Sequence, residues 1–144
     1  MNQHLTPSTK ISDITRFWHV IDLDGKILGR SATEIAGLLM GKAKPTFVRN
    51  LDCGDYVVVV NAEKVKVSGK KEGQKEYYRY SGYPGGLNIE KLRELRLRKP
   101  EDIITHAVKG MLPQNKLRDR MLKRLKVFIG PSHAFEEKVK EKKN

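Results

Sequence analysis

Residues 56–60 read Tyr-Val-Val-Val-Val, and the four valines form the longest uninterrupted apolar run of the chain. A strand with one face in solvent alternates apolar and polar residues, whereas this one is apolar on both faces. Such a pattern is typical of a central strand in a parallel sheet that is covered on both sides. The run therefore predicts a buried sheet at the centre of the fold.

A strand–helix unit precedes this run. Residues 17–21 read Phe-Trp-His-Val-Ile and predict a second strand. Apolar residues then recur at helical spacing over residues 28–39, which predicts a helix with one buried face. Ser31 and Glu34 have the spacing of an N-terminal capping box, and Gly41 is expected to end the helix.

The remaining chain adds elements of both kinds. Residues 64–67 alternate and could extend the central strand or add one, and residues 75–80 predict an edge strand. Further elements are helices over 89–98, from Pro100 to Pro113 and over 115–125, and a strand over 126–129. Strands separated by helices indicate an α/β layer structure with a mainly parallel sheet. The chain divides into an N-terminal extension (1–16), a single α/β domain (17–135) and a charged C-terminal tail (136–144).

Composition points to a nucleic-acid partner. The 144 residues carry 29 Lys and Arg against 17 Asp and Glu, a formal net charge of +12. Polyphosphate is the commonest cellular surface that matches this balance. A membrane is disfavoured because no apolar run approaches the ~20 residues that span a bilayer, and residues 1–15 lack the apolar core of a signal peptide. We therefore expect a cytoplasmic protein.

The positive charge is unevenly distributed along the chain. Residues 1–60 hold seven Lys or Arg and six acidic residues, whereas residues 61–144 hold 22 and 11. In the helix predicted over 115–125, four cations fall on one side, and they are Lys116, Arg120, Lys123 and Arg124. This arrangement favours contacts with RNA phosphates, although any one lysine alone is more simply a solvated surface residue.

A second basic segment combines cations with aromatic rings. Lysines at 64, 66, 70, 71 and 75 precede Tyr77, Tyr78, Arg79, Tyr80 and Tyr83. Cations meet phosphates while rings and guanidinium planes stack on unpaired bases, so the mixture suits RNA. Some of the tyrosines must instead fill the sheet face.

Residues that could carry chemistry form no catalytic pattern. Residues 25–31 follow a strand and open a helix, but they lack the glycine spacing and the lysine of a nucleotide-binding P-loop. Cys53 is the only cysteine, and the four histidines have no metal-like spacing. His106 is expected to be a partly buried structural residue. We therefore predict a protein that is not an enzyme and has no cofactor, metal or small-molecule substrate.

The chain closely resembles the bacterial-type family thirteen of large-subunit ribosomal proteins, over about residues 18–133. The motifs that carry this resemblance are Trp18 to Asp22 with Gly25, Leu28-Gly29-Arg30, Gly41-Lys42, Asp52 with Gly54-Asp55, Asn61-Ala62, Ser68-Gly69-Lys70, Ser81 to Gly86, Ala107 to Pro113, and Lys126-Val127 with Gly130 and His133. In two places the chain departs from the family pattern. It has Leu117-Arg118-Asp119 where Leu-Gly-Arg is usual, and Phe135 where a second histidine is usual.

The resemblance implies a three-layer α/β/α fold with a four-stranded, mainly parallel sheet. It implies a structural role in the large (50S) ribosomal subunit, with 23S ribosomal RNA (rRNA) and neighbouring ribosomal proteins as partners, entry early in subunit assembly, and a place on cytoplasmic ribosomes. Messenger RNA is a further candidate partner. The residues that we expect at the RNA are Arg30, Lys42, Lys44, Lys64, Lys70, Lys71, Tyr78, Arg79, Tyr80, Tyr83, Lys109, Lys116, Arg118, Arg120, Lys123, Arg124, Lys126 and His133.

Two other functions stay open from the sequence. A free RNA-binding protein, for instance one that represses a messenger, would have the same charge distribution. A small nucleotide-handling enzyme would use residues 25–31.

Overall fold

The computed structural model describes residues 9–140 of the chain. Its strands are β1 (Trp18–Asp22), β2 (Tyr56–Val60), β3 (Glu76–Tyr80), β4 (Leu87–Lys91) and β5 (Leu125–Val127). Its α-helices are α1 (Leu28–Met40), α2 (Lys71–Gln74), α3 (Leu92–Arg98), α4 (Pro100–Met111), α5 (Leu117–Lys123) and α6 (Glu136–Lys140). The first eight residues of the predicted extension and the last four of the predicted tail lie outside the described residues.

The valine-rich strand lies at the centre of the main sheet. β2 pairs in parallel with β1 on one side and with β5 on the other. Val57, Val58 and Val59 are completely buried, and Val60 is 6% exposed. The prediction of a central, doubly covered parallel strand is therefore confirmed. A four-stranded sheet is not confirmed, because the main sheet among residues 9–140 has three strands.

The aromatic segment forms a separate hairpin. β3 pairs with β4 in an antiparallel two-stranded sheet, so the expected edge strand exists but does not join the main sheet. The helix expected from residue 89 was wrong at its start, since residues 87–91 are β4 and the helix begins at Leu92. Leu87 and Ile89 alternate with Asn88 and Glu90, a two-residue period that indicates a strand. Residues 64–67 contribute only one parallel bridge, Lys66 with Ile27.

Helices α1 and α4 cover one face of the main sheet. Ile21, Val57 and Val59 of the sheet share one core cluster with apolar residues of both helices. The predicted capping box was wrong, because α1 begins at Leu28 and Ser31 therefore lies inside the helix, where it is buried. The helix ends at Gly41, as expected, with a φ of 76° that glycine adopts without a Cβ penalty. Other predicted elements are present with their ends displaced by one or two residues.

Aromatic residues and α6 cover the opposite face. Trp18 stacks on its cross-strand neighbour Tyr56 with ring centroids 4.4 Å apart. Phe135, which precedes α6, stacks on Trp18 at 5.2 Å and meets Phe128 edge-on at 6.1 Å. The phenylalanine that departs from the family pattern therefore anchors the C-terminal segment to the sheet by apolar contact. A histidine there would bring a polar ring into this aromatic cluster.

Candidate nucleic-acid interface

Most of the residues predicted at the RNA are on the surface. Burial divides the predicted set into three groups. The exposed members are Arg30, Lys42, Lys64, Lys70, Lys71, Tyr78, Arg79, Tyr80, Tyr83, Lys109, Lys116, Arg120 and Lys123. The half-buried members are Lys44, Arg118, Lys126 and His133, and Arg124 is buried.

Arg124 is turned into the protein and does not lie on the exposed side of α5. It forms a two-nitrogen ion pair with Asp52, and it donates hydrogen bonds to the carbonyl oxygens of Leu39 and Asp55 at 3.1 and 3.3 Å. Its residue exposure is 6%. The placement corrects the prediction for Arg124, because its donors already hold β5, the end of α1 and the loop before β2 together.

Lys44 is half-buried and, like Arg124, donates to acceptors inside the protein. Its ammonium group donates to Asp55 and to the carbonyl oxygens of Thr15 and Cys53. The same carboxylate accepts a hydrogen bond from the Phe17 amide and contacts the His19 ring at 3.1 Å. Lys44 therefore fastens the loop after α1 to the segment before β1, and we exclude it from the proposed contact set.

Helix α5 presents the other three of its predicted cations to solvent. Lys116, Arg120 and Lys123 are exposed, while Met121 is 4% exposed and packs into the core. The side-chain oxygen of Asn115 accepts the amides that begin the helix, at 3.1 and 3.2 Å. Helical backbone continues through Arg118 with no positive φ, so the helix does not need the glycine that is usual in the family.

A groove of about 900 Å³ lies between α1, α2 and α4. Apolar side chains form a large part of its lining, including Leu28, Val67 and Met111. Its cations are Arg30 from the first turn of α1, Lys71 from α2 and Lys75 just after α2. The groove thus combines an apolar floor with a positively charged rim.

A smaller depression of about 430 Å³ adjoins this groove. Met111 lines both, and Lys42 and Arg49 supply the cations of the smaller one. Asn115, which caps α5, lies on the same wall. The depression therefore meets the groove at Met111 and the start of α5 at Asn115.

The β3–β4 hairpin carries an exposed aromatic and aliphatic face. Tyr78 pairs across the hairpin with Ile89, and Tyr80 pairs with Leu87, so the four side chains share one face. All four are more than half exposed, as is Tyr83 in the connecting turn. The Tyr78 hydroxyl donates to Glu76 at 2.8 Å, and this hydrogen bond raises the pKa of the phenol.

The opposite face of the hairpin packs on the protein. Tyr77 is half-buried against the core, and burial raises the pKa of its phenol. Its ring lies 5.5 Å from that of His106. His106 itself is exposed and lines the groove, so the expectation of a partly buried histidine was wrong.

The other predicted contacts are scattered. Lys64 is 3.6 Å from Asp24 in an exposed ion pair, which water and salt screen strongly. Lys126 lies in β5 opposite Val58, and the His133 ring accepts a hydrogen bond from the Phe135 amide at 3.2 Å. These side chains are not lined up with the groove.

Three residues at these depressions were left out of the predicted contact set. Lys75 was noted in the second basic segment but was not carried into that set, although its spacing of four residues from Lys71 places both on one side of a helix turn. Arg49 follows an irregular loop, and no periodicity marks it. His106 was expected to be a partly buried structural residue because no sequence signal shows that α4 turns this position towards the groove.

The described part of the chain, residues 9–140, contains no group of three or more His, Cys, Asp or Glu residues placed to hold a metal ion. Within the same range, every helix is too short or too polar to cross a bilayer.

Comparison with known proteins identifies close relatives. The family model described as Ribosomal protein L13 matches residues 16–134. The large ribosomal subunit protein uL13 of Dehalococcoides mccartyi is 57% identical over 128 residues, which cover 89% of this chain and 90% of the relative. The uL13 proteins of Caldanaerobacter subterraneus and Prochlorococcus marinus are 53% and 56% identical, each over 133 residues and more than nine-tenths of both chains.

Proposed function

Because this chain belongs to the ribosomal protein L13 family, we propose that it binds 23S rRNA as a structural constituent of the large ribosomal subunit. The family is structural, so the prediction that the chain is not an enzyme is confirmed. Membership also places the protein on ribosomes in the cytoplasm. The identity of the RNA, early entry into assembly and contacts with neighbouring large-subunit proteins are parts of the proposal.

The observation that carries the proposal is that some cations form ion pairs inside the protein whereas others are exposed on its surface. Lys44 and Arg124 are matched by Asp55 and Asp52 inside the protein, where their charge is neutralised. Arg120 and Lys123 of α5 and Arg30 and Lys71 of the groove rim are instead exposed. Lys75 of the rim is half-buried, with its ammonium group over the ring of Tyr77. Exposed cations that are not consumed by internal ion pairs are available to neutralise phosphates and release counterions.

The hairpin supplies a second kind of contact. Tyr78, Tyr80 and Tyr83 are between 65% and 75% exposed, and Arg79 lies among them. An exposed aromatic ring leaves a large apolar surface in water, and a base that stacks on the ring buries that surface with a favourable free energy. We assign phosphate contacts to α5 and base stacking to the hairpin tyrosines.

The test is binding of the full chain to 23S rRNA transcribed in vitro, with 16S rRNA as the comparison. Neutralising on the order of six to ten phosphates should weaken binding by orders of magnitude when salt rises a few-fold. Arg120→Met with Lys123→Met should lower the salt slope by about two, whereas Lys10→Met should leave it unchanged. Equal affinity for both RNAs, or an affinity that does not change with salt concentration, would overturn the proposal.

A free regulator that binds messenger RNA is the alternative. Sedimentation of a cell extract at moderate salt distinguishes the two, since a ribosomal constituent co-migrates with large subunits in a fixed ratio. A protein that stays at the top of the gradient would favour the regulator.

A further inference from the structure

We infer that the groove between α1, α2 and α4 accepts one unpaired nucleotide of the bound RNA, its base on the apolar floor and its phosphate at the cationic rim. The inference rests on the proposed function and adds to it a specific contact. Its first support is size, because about 900 Å³ falls within the range of pockets that enclose small organic molecules. A flat phosphate-contacting surface needs no such depth.

The second support is the charge of the rim. Among residues 9–140, Arg30, Lys71 and Lys75 line the groove and no Asp or Glu does. Ile27, the N-cap residue of α1, makes no side-chain capping hydrogen bond, and the Leu28 amide donates to the Lys66 carbonyl oxygen. The positive end of the helix therefore adds to the field at Gly29 and Arg30. An occupant with a negative charge near the rim is therefore favoured.

The third support is the floor, which an inorganic phosphate would leave exposed. Leu28, Val67, Ala107 and Met111 present carbon atoms to the groove, and Met111 is 41% exposed. A planar base buries such a surface while its edge stays polar. The Gln74 amide, which also lines the groove, can hydrogen-bond a base edge.

The fourth support is a pair of glycines that the protein itself does not require. Gly29 in α1 and Gly110 in α4 both line the groove. Neither has a positive φ, and a Cβ added to either would meet no atom within 4 Å. The missing side chains leave the backbone of both helices accessible from the groove, so an occupant can approach it closely at these two positions.

An acidic protein segment is the competing occupant, since it also carries negative charge and apolar groups. RNA is favoured because the depression that adjoins the groove at Met111 is lined by further cations, Lys42 and Arg49, and by Asn115 at the start of α5. An RNA strand carries one negative charge per nucleotide and can neutralise several of these cations, whereas a short acidic peptide would leave most of them without a counter-charge.

The experiment fills the groove and retains its cations. Gly110→Leu places an isobutyl group in the opening, and Gly37→Leu is the matched control, a helical glycine with equally open surroundings that does not line the groove. Both variants should melt at or above the wild-type temperature, as followed by circular dichroism. We expect Gly110→Leu to weaken binding of 23S rRNA about ten-fold, the loss of roughly one stacked base, with the salt slope unchanged. Gly37→Leu should bind like wild type.

A second measurement places the nucleotide directly. Ultraviolet irradiation of the wild-type complex, followed by nuclease and protease digestion and mass spectrometry, should find a nucleotide attached to a peptide that contains His106 or Met111. The attachment should disappear in Gly110→Leu.

The outcomes separate this inference from the proposed function. If wild type binds 23S rRNA with a steep salt slope but Gly110→Leu binds equally well, the inference fails and the proposed function stands. The inference also fails if Gly110→Leu lowers the salt slope and the wild-type complex gives no crosslink at the groove. That result would indicate that the groove contacts only phosphate. If wild type does not discriminate 23S rRNA, the proposed function itself fails.

Discussion

Arg124 provides the sharpest test of how this fold is held together. Replacing it with methionine keeps a long side chain of similar shape and removes the charge. In the wild type the Arg124 side chain is 8% exposed and that of Asp52 is 11% exposed, so solvent screens their interaction weakly. The substitution leaves the carboxylate of Asp52 without its main partner and removes a donor from the Leu39 and Asp55 carbonyl oxygens.

The cost follows from those losses. Removing one partner of a buried ion pair destabilises a protein by about 3–5 kcal/mol, because the remaining charge stays out of water. Arg16 remains 3.6 Å from the Asp52 carboxylate and offsets a part of this cost, which places the expected loss of stability at about 3 kcal/mol. For a chain of this size that corresponds to a melting temperature lower by about 10 °C.

Equilibrium unfolding in urea measures the change. Trp18 is the only tryptophan and stacks on Tyr56, so its fluorescence should report loss of the sheet. Arg120→Met, four residues earlier and within α5, is the matched control, because Arg120 is exposed and its loss should change stability by less than about 0.5 kcal/mol. RNA binding should show the reverse order, with Arg120→Met weaker and folded Arg124→Met close to wild type.

A free energy of unfolding for Arg124→Met within about 1 kcal/mol of wild type would refute this reasoning. It would mean that Asp52 finds water or another donor at no cost. The double variant Arg124→Met with Asp52→Leu should recover most of the loss, since replacing both partners of a buried pair by apolar groups is often neutral.

Three further predictions concern packing, RNA stacking and pH. Gly54→Ala should prevent stable folding, because its Cβ would overlap the Leu39 carbonyl; the circular dichroism melting curve checks this against Gly37→Ala, which has open space and should not be destabilised. Tyr80→Ala should weaken RNA binding by about 1–3 kcal/mol while Tyr80→Phe binds nearly as wild type, and equal losses in both would refute a stacking role. The hydrogen bond from Asn61 lowers the pKa of Asp22 below its ordinary 3.8, so Asp22→Asn should be less stable than wild type at neutral pH. The difference in unfolding free energy should shrink as the pH falls below about 4. Urea titrations at several pH values would contradict this if the difference were constant.

Local patterns were enough for much of the fold. The apolar run of β2 predicted a central covered strand because every side chain in it must be kept from water. Helical spacing predicted α1, and Pro100 was expected at the start of α4 and is found there. The second strand of the hairpin was not predicted, because its residues just before Leu92 were included in the following helix. Their apolar and polar residues nevertheless alternate every two positions, as in a strand.

The sequence by itself determined that this protein is basic and mixed α/β, and it predicted an RNA partner, because charge, periodicity and motif order are properties of the chain alone. Only the tertiary structure decided which cations are available to a partner. Arg120 lies in α5 and Arg124 immediately follows that helix, yet the first is in solvent and the second is paired with Asp52, a residue 72 positions away. That pairing depends on how β5 returns beside β2, which no local pattern encodes. The groove arises in the same way, since α1, α2 and α4 meet only when the chain is folded.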